Sequence, residues 1–158
     1  MRTLIVAVSV FSLFACSALA GQATGAGKLN PCTLVAKADV QQATGKAVAD
    51  PKPNQTNPAV CDFKVGDFGN VSFTTQRIGA AESADKTIAG LQKLKIPVTE
   101  AKGIGDRAFF ASPGYGMTQL NAYKGPHYVI LTLLIPGASE AQQKTIAEKL
   151  MLKALAKL

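Results

Sequence analysis

Gly103-Ile104-Gly105-Asp106-Arg107-Ala108 has the spacing G-x-G-x-x-A, the form of a dinucleotide-binding fingerprint. That chemistry needs a strand before the glycines and a helix after them, because the pyrophosphate rests on the N–H groups of the helix's first turn. Here the motif runs on into FFASPGYG, which reads as a strand and a glycine turn. The acidic residue that such a site places about twenty positions further on is missing too. Residues 121–131 read NAYKGPHYVIL. The glycines are therefore read as a tight turn that aims Ala108, Phe109 and Phe110 back into a sheet.

Other reactive residue types are scarce. His127 is the single histidine, so a Ser-His-Asp set would have to use it. It opens a strand after Gly125-Pro126, and no G-x-S-x-G nucleophile elbow occurs, so it reads as structural. Zinc needs three or four ligands, which one histidine and a bridged cysteine pair do not supply. Asp62 and Asp67 lie close in sequence but form no D-x-D-x-D calcium run. The scattered acids give no pointer to a glycoside-cleaving pair. No catalytic residue, metal ligand or cofactor-binding residue is expected. Asp106 and Arg107 are the charged pair inside a glycine-flanked motif. Asp106 suits a turn cap, with a ligand contact at the sheet's end as the alternative. Tyr115, in SPGYGM, puts an aromatic on an exposed loop, where contacts tend to reside. Asp106, Arg107 and Tyr115 are the candidate ligand contacts.

These residues need a frame. Residues 33–45 read as a helical region with Leu34, Val35, Ala38 and Val40 on its apolar side, breaking into two short helices and capped by Gly45. Pro51, Pro53 and Pro58 mark an exposed loop after it. Residues 61–65 and 70–77 read as a hairpin, the second strand alternating Val71, Phe73, Thr75 against Ser72, Thr74, Gln76. Residues 80–94 form a helix with Ala81, Ala84, Ile88 and Leu91 as its stripe. A short strand at 98–101 and strands at 107–111, 117–123 and 127–135 follow. The last is apolar on both faces and belongs at the centre. Residues 139–158 close the chain as an amphipathic helix with Ser139 and Gln142 as a capping box. Ile146, Leu150, Met151, Ala154, Leu155 and Leu158 form its apolar face, better suited to the sheet than to a membrane. This is an α+β single domain over residues 30–158, an antiparallel sheet of about five strands backed by helices.

The N-terminus reads as an address. Arg2 precedes an apolar run over residues 4–15, and Ala18-Leu19-Ala20 fits an A-x-A cleavage site, so residues 1–20 read as an export signal. Twelve apolar residues are too few to span a bilayer. Leu13-Phe14-Ala15-Cys16 also resembles a lipobox, in which Cys16 would be lipidated and become the first residue. The first cut leaves a free protein and the second a tethered one. Residues 21–29 are a glycine-rich lead-in or tether. Either cut leaves Cys32 and Cys61, an even pair in an oxidising compartment and hence a disulfide.

The net charge is +7, carried mostly by lysine, 14 of 17 basic residues. The lysines are scattered, whereas nucleic-acid surfaces cluster arginine with aromatics, so nucleic acid is not expected as a partner. Asn54-Gln-Thr56 and Asn70-Val-Ser72 match the glycosylation pattern, which has no bearing in a bacterial host.

Pro31-Cys32-Thr33-Leu34, a helix ending at Gly45, Cys61 and Gly103-x-Gly-Asp-x-Ala-Phe109 together resemble a group of exported bacterial proteins. Many of them are lipoproteins, known only as domains of unknown function. The resemblance spans most of residues 30–158. It implies a Cys32–Cys61 disulfide and a PsbP-like α/β fold with a helix-backed antiparallel sheet, and it brings no catalytic residues with it. The weak lipobox departs from the lipoprotein members. The function expected is a non-enzymatic envelope protein, in the periplasm or at the membrane, binding an unidentified protein or small ligand. The alternatives are a lysine-rich binder of anionic envelope polymers and a small hydrolase or other enzyme built on His127 or a carboxylate pair.

Overall fold

The computed structural model describes residues 29–79 and 82–158. The export signal, Cys16 and all but the last residue of the lead-in lie outside them. Pro31–Thr33 is a 3-10 turn capped by Asn30, whose Oδ1 accepts from the Cys32 N–H at 3.0 Å. Helix α1, Lys37–Thr44, follows it. Within the expected region 33–45 only this one helix forms; the 3-10 turn lies almost wholly before that region, Leu34 and Val35 are buried in the link between turn and helix, and Ala38, expected on the apolar side, is exposed. Gly45 ends α1 at φ +65°, the left-handed cap that glycine adopts without a Cβ clash.

Seven strands come next: β1 (Lys52–Pro53), β2 (Val60–Val65), β3 (Gly69–Arg77), β4 (Val98–Glu100), β5 (Arg107–Gly114), β6 (Met117–Lys124) and β7 (His127–Leu134). They form one antiparallel sheet in the order β1-β2-β3-β7-β6-β5-β4. The expected count of about five is corrected to seven; the short strand expected at 98–101 is present as β4, and β1 is the strand that was not read. β1 falls inside the proline-rich loop, where Lys52 pairs with Asp62 and Pro53 with Cys61. Two residues carry no alternation to read, and a proline is tolerated because an edge strand leaves one side unpaired. β4 is a three-residue strand on the opposite edge. Strands this short present little free edge to another chain. β7 is central, as its apolar sequence requires.

The two faces are covered differently. One face presents Phe63, Phe73, Leu120, Leu131 and Leu133 to α1 and to α3, Glu140–Leu155, forming the main core. Phe63 and Phe73 meet edge to face at 6.2 Å. α3 opens with the capping box read from the sequence: the Gln142 N–H donates to Ser139 Oγ, and the Ser139 N–H to Gln142 Oε1. Leu150, Met151, Ala154 and Leu155 are buried as expected. Gln143 is buried with them because its amide is used at both ends, accepting from the Ile135 N–H and donating to the Gly116 carbonyl. The Cys32–Cys61 disulfide, 29 residues apart, ties the 3-10 turn to β2 on this face.

The other face is covered at one end by α2, Ala84–Lys93, which starts at the Ser83 N-cap. Ala84, Ile88 and Leu91 face the sheet, while Ala81 lies outside the described residues. Phe109, Tyr123 and Tyr128 meet them in a smaller second core.

Candidate functional site

Strand alternation brings polar side chains onto the α2 face of the sheet. Tyr123 on β6 and Tyr128 on β7 are register partners, and their rings stack with centroids 4.4 Å apart. The Tyr128 hydroxyl donates to Asn121 Oδ1 at 2.7 Å, and Gln119 Nε2 donates to the same oxygen at 3.0 Å. The Tyr123 hydroxyl shares a hydrogen bond with Thr87 Oγ1 of α2 at 2.8 Å. Burial, with Tyr123 alongside as the second cause, pushes the Tyr128 hydroxyl's pKa well above the usual phenol range. Asn121 is fully buried, and its Nδ2 is the buried side-chain polar atom without a hydrogen-bond partner among the described residues. Buried amides are normally paired, so an orphan of this kind marks an incomplete network.

Beside this network is a cavity of about 220 Å³, walled by Ile78, Glu82, Ser83, Lys86 and Thr87 leading into and along α2 and by Gln76, Tyr123 and Tyr128 of the sheet. Its lining offers hydroxyls, an amide, aromatic carbon and two charged groups, the Glu82 carboxylate and the Lys86 ammonium, which together hold a small polar ligand by hydrogen bonds, charge and apolar contact. None of the wall hydroxyls is hydrogen-bonded to a histidine or a carboxylate among the described residues. A larger open groove of about 580 Å³ lies between the end of α1 and the start of α3. It is lined by Ile135, Pro136, Ala138 and Ile146 among others, with no orphaned polar group beside it.

The structure separates the residues singled out in the sequence. Gly103 and Gly105 both have positive φ, and a Cβ on Gly105 would sit 2.4 Å from the Tyr123 carbonyl oxygen. The loop enters β5 directly, with no helix after the glycines. The Asp106 carboxylate accepts from the Gly125 N–H at 2.7 Å, tying this loop to the β6–β7 turn. Arg107 pairs with Tyr123 in register and lies on the α2 face. Its guanidinium meets Glu100 at 2.9 Å and Asp85 at 3.7 Å, linking β4 to the first turn of α2. Tyr115 sits just past the far end of β5 from Arg107, eight residues on, about 26 Å at the rise of a strand. It is 94 % exposed, at the tip of the β5–β6 hairpin. His127 opens β7 between Arg77 and Lys124 in register. No group of three or more potential metal-binding side chains converges among the described residues.

Arg107 therefore lies beside the tyrosine network, and Tyr115 does not. The sequence reading missed Asn121, Tyr123, Tyr128 and Thr87. One signal was available: Asn121 is a poor strand former set between Leu120 and Ala122. No protein-family model, curated protein or solved structure matches this chain.

Proposed function

We propose that this chain is a non-enzymatic binding protein of the bacterial cell envelope, exported by residues 1–20, whose ligand is a small polar molecule held beside α2. The carrying observation is the hydroxyl-lined cavity walled by the stacked Tyr123–Tyr128 pair, with buried Asn121 behind Tyr128 and its Nδ2 unpartnered. An orphaned buried amide costs stability, and such costs collect where a site is built for something other than stability. The disulfide fits an oxidising compartment, in keeping with export. The resemblance of Pro31-Cys32, Cys61 and Gly103–Phe109 to exported bacterial proteins supports the same reading.

Native mass spectrometry of the protein isolated undenatured from its host's envelope tests it. The wild-type chain should carry added non-polypeptide mass that is absent from Thr87→Val/Tyr128→Phe. Bare polypeptide mass for both, with no thermal stabilisation by the small-molecule fraction of that envelope, would contradict it. The same spectrum distinguishes a chain beginning at Gly21 from an acylated one beginning at Cys16.

A further inference from the structure

Four large apolar side chains are exposed among the described residues: Phe68, Leu94, Tyr115 and Leu152. Three of them share one end of the sheet. Phe68 lies in the β2–β3 turn, just before the Val65–Gly69 pair. Tyr115 lies in the β5–β6 turn, between the paired Gly114 and Met117. β3 and β6 reach β7 at the same end, where Asn70 pairs with Leu134 and Thr118 with Leu133. The two tips are three strand spacings apart, about 14 Å. Leu94 ends α2 three residues before Pro97, whose carbonyl accepts from the Ser112 N–H near the β5 tip. Leu152, on α3, is the exception.

The backbone at this end is also unusual. Lys95 and Tyr115 are the non-glycine residues with positive φ among the described residues, at +59° and +57°. Tyr115-Gly116 occupies a two-residue hairpin turn with both φ values positive, where asparagine-glycine is the favoured pair. The chain accepts strain there and displays a phenol ring 94 % exposed. Cations accompany the apolar groups. Exposed Lys93 and Lys95 flank Leu94. Exposed Lys64 precedes the Phe68 turn, and exposed Lys46 adjoins it through the Gly66 N–H to Ala47 carbonyl bond. Asp67 is the acid in that turn, and Glu140 at this end is paired with Lys144 at 2.8 Å.

We infer that this end of the molecule is a docking platform for an anionic lipid bilayer. Phe68, Tyr115 and Leu94 enter the interface, and Lys46, Lys64, Lys93 and Lys95 lie against the head groups. Aromatic rings favour the head-group level, and lysines beside them add attraction to anionic lipid. Without Arg2 of the export signal the remaining chain carries +6, one less than the +7 of the full sequence, and is drawn to the same surface. This inference stands apart from the ligand cavity, which opens beside α2 on the face of the sheet.

The chain contains no tryptophan, so one introduced residue reports on its own surroundings. Phe68→Trp, Leu94→Trp, Tyr115→Trp and Leu152→Trp are each mixed with vesicles of phosphatidylglycerol and phosphatidylethanolamine. The first three should shift to the blue and be quenched by brominated lipid, with Leu152→Trp unchanged, and the shifts should shrink as salt rises. Phe68→Ser/Leu94→Ser/Tyr115→Ser should lose most co-sedimentation with the vesicles while keeping its melting temperature. No shift at the three positions, an equal shift at Leu152→Trp, or undiminished co-sedimentation of the triple variant would overturn the inference. A protein partner for this end would be indicated by the first of these together with a shift on adding envelope proteins.

Discussion

Asn121 and Tyr128 hold the clearest tension in the molecule. The Tyr128 hydroxyl has one good acceptor, Asn121 Oδ1, while the other end of that amide has no partner. Asn121→Leu alone strands the tyrosine hydroxyl and should cost about 1–3 kcal/mol in urea unfolding. Asn121→Leu/Tyr128→Phe removes both ends and should recover most of that loss, reaching or exceeding wild-type stability. A double variant as unstable as the single one would mean that Asn121 acts through packing rather than hydrogen bonding. Tyr128 also predicts a pH dependence. Its folded-state pKa is raised above the unfolded phenol value, so the folded chain keeps a proton that the unfolded chain releases. Stability from this group is intact below about pH 10 and declines as the pH rises above it. Tyr128→Phe should flatten that alkaline decline in unfolding measured across the alkaline range, and an unchanged decline would contradict this assignment.

At the level of elements, the Gly103–Asp106 loop and the disulfide do the positioning. Both glycines have left-handed φ, but they differ in space. A Cβ on Gly103 meets nothing within 4 Å, whereas one on Gly105 runs into the Tyr123 backbone. Gly103→Ala should cost about 1 kcal/mol, the left-handed penalty alone. Gly105→Ala should cost at least about 2–3 kcal/mol and disturb Tyr123 at the wall of the cavity. Equal losses in thermal unfolding would contradict the reading of this loop as a clamp on β6. The disulfide closes 29 residues of chain over the proline-rich loop. Cys32→Ser/Cys61→Ser should lose on the order of 3–4 kcal/mol by the chain-entropy argument, measured by denaturant unfolding against the oxidised wild type. A loss under about 1 kcal/mol would mean that the core already restrains the 3-10 turn without the bridge.

Across the whole molecule, the fold was more legible than the site. Period-two alternation in 70–77 announces a strand whose two faces meet different environments, and the apolar run at 127–135 announces one covered on both faces at the centre of the sheet. Gly45 and the Ser139–Gln142 box announce helix ends because few residues can satisfy those backbone groups. β1 was not legible, since two residues of a proline loop become a strand only when β2 is there to pair with. The cavity was hidden for a related reason. Thr87, Asn121, Tyr123 and Tyr128 come from three elements and meet only once the register of β6 against β7 is set. The grouping of Asp106, Arg107 and Tyr115 was suggested by closeness in sequence, and an extended strand carries Tyr115 to the opposite end. Sequence neighbours on a strand diverge at about 3.3 Å per residue, so a motif there marks a line rather than a site.

The central claim is that a small polar ligand occupies the cavity beside α2. Nitrogen–proton correlation spectra tests it most directly, with the isotope-labelled chain titrated with the small-molecule fraction of its host's envelope. The account predicts that the Asn121 side-chain amide and the backbone amides of Thr87, Tyr123 and Tyr128 shift together, and that Thr87→Val/Tyr128→Phe abolishes the response. An unchanged spectrum, or shifts confined to residues away from α2 and β6, would contradict it.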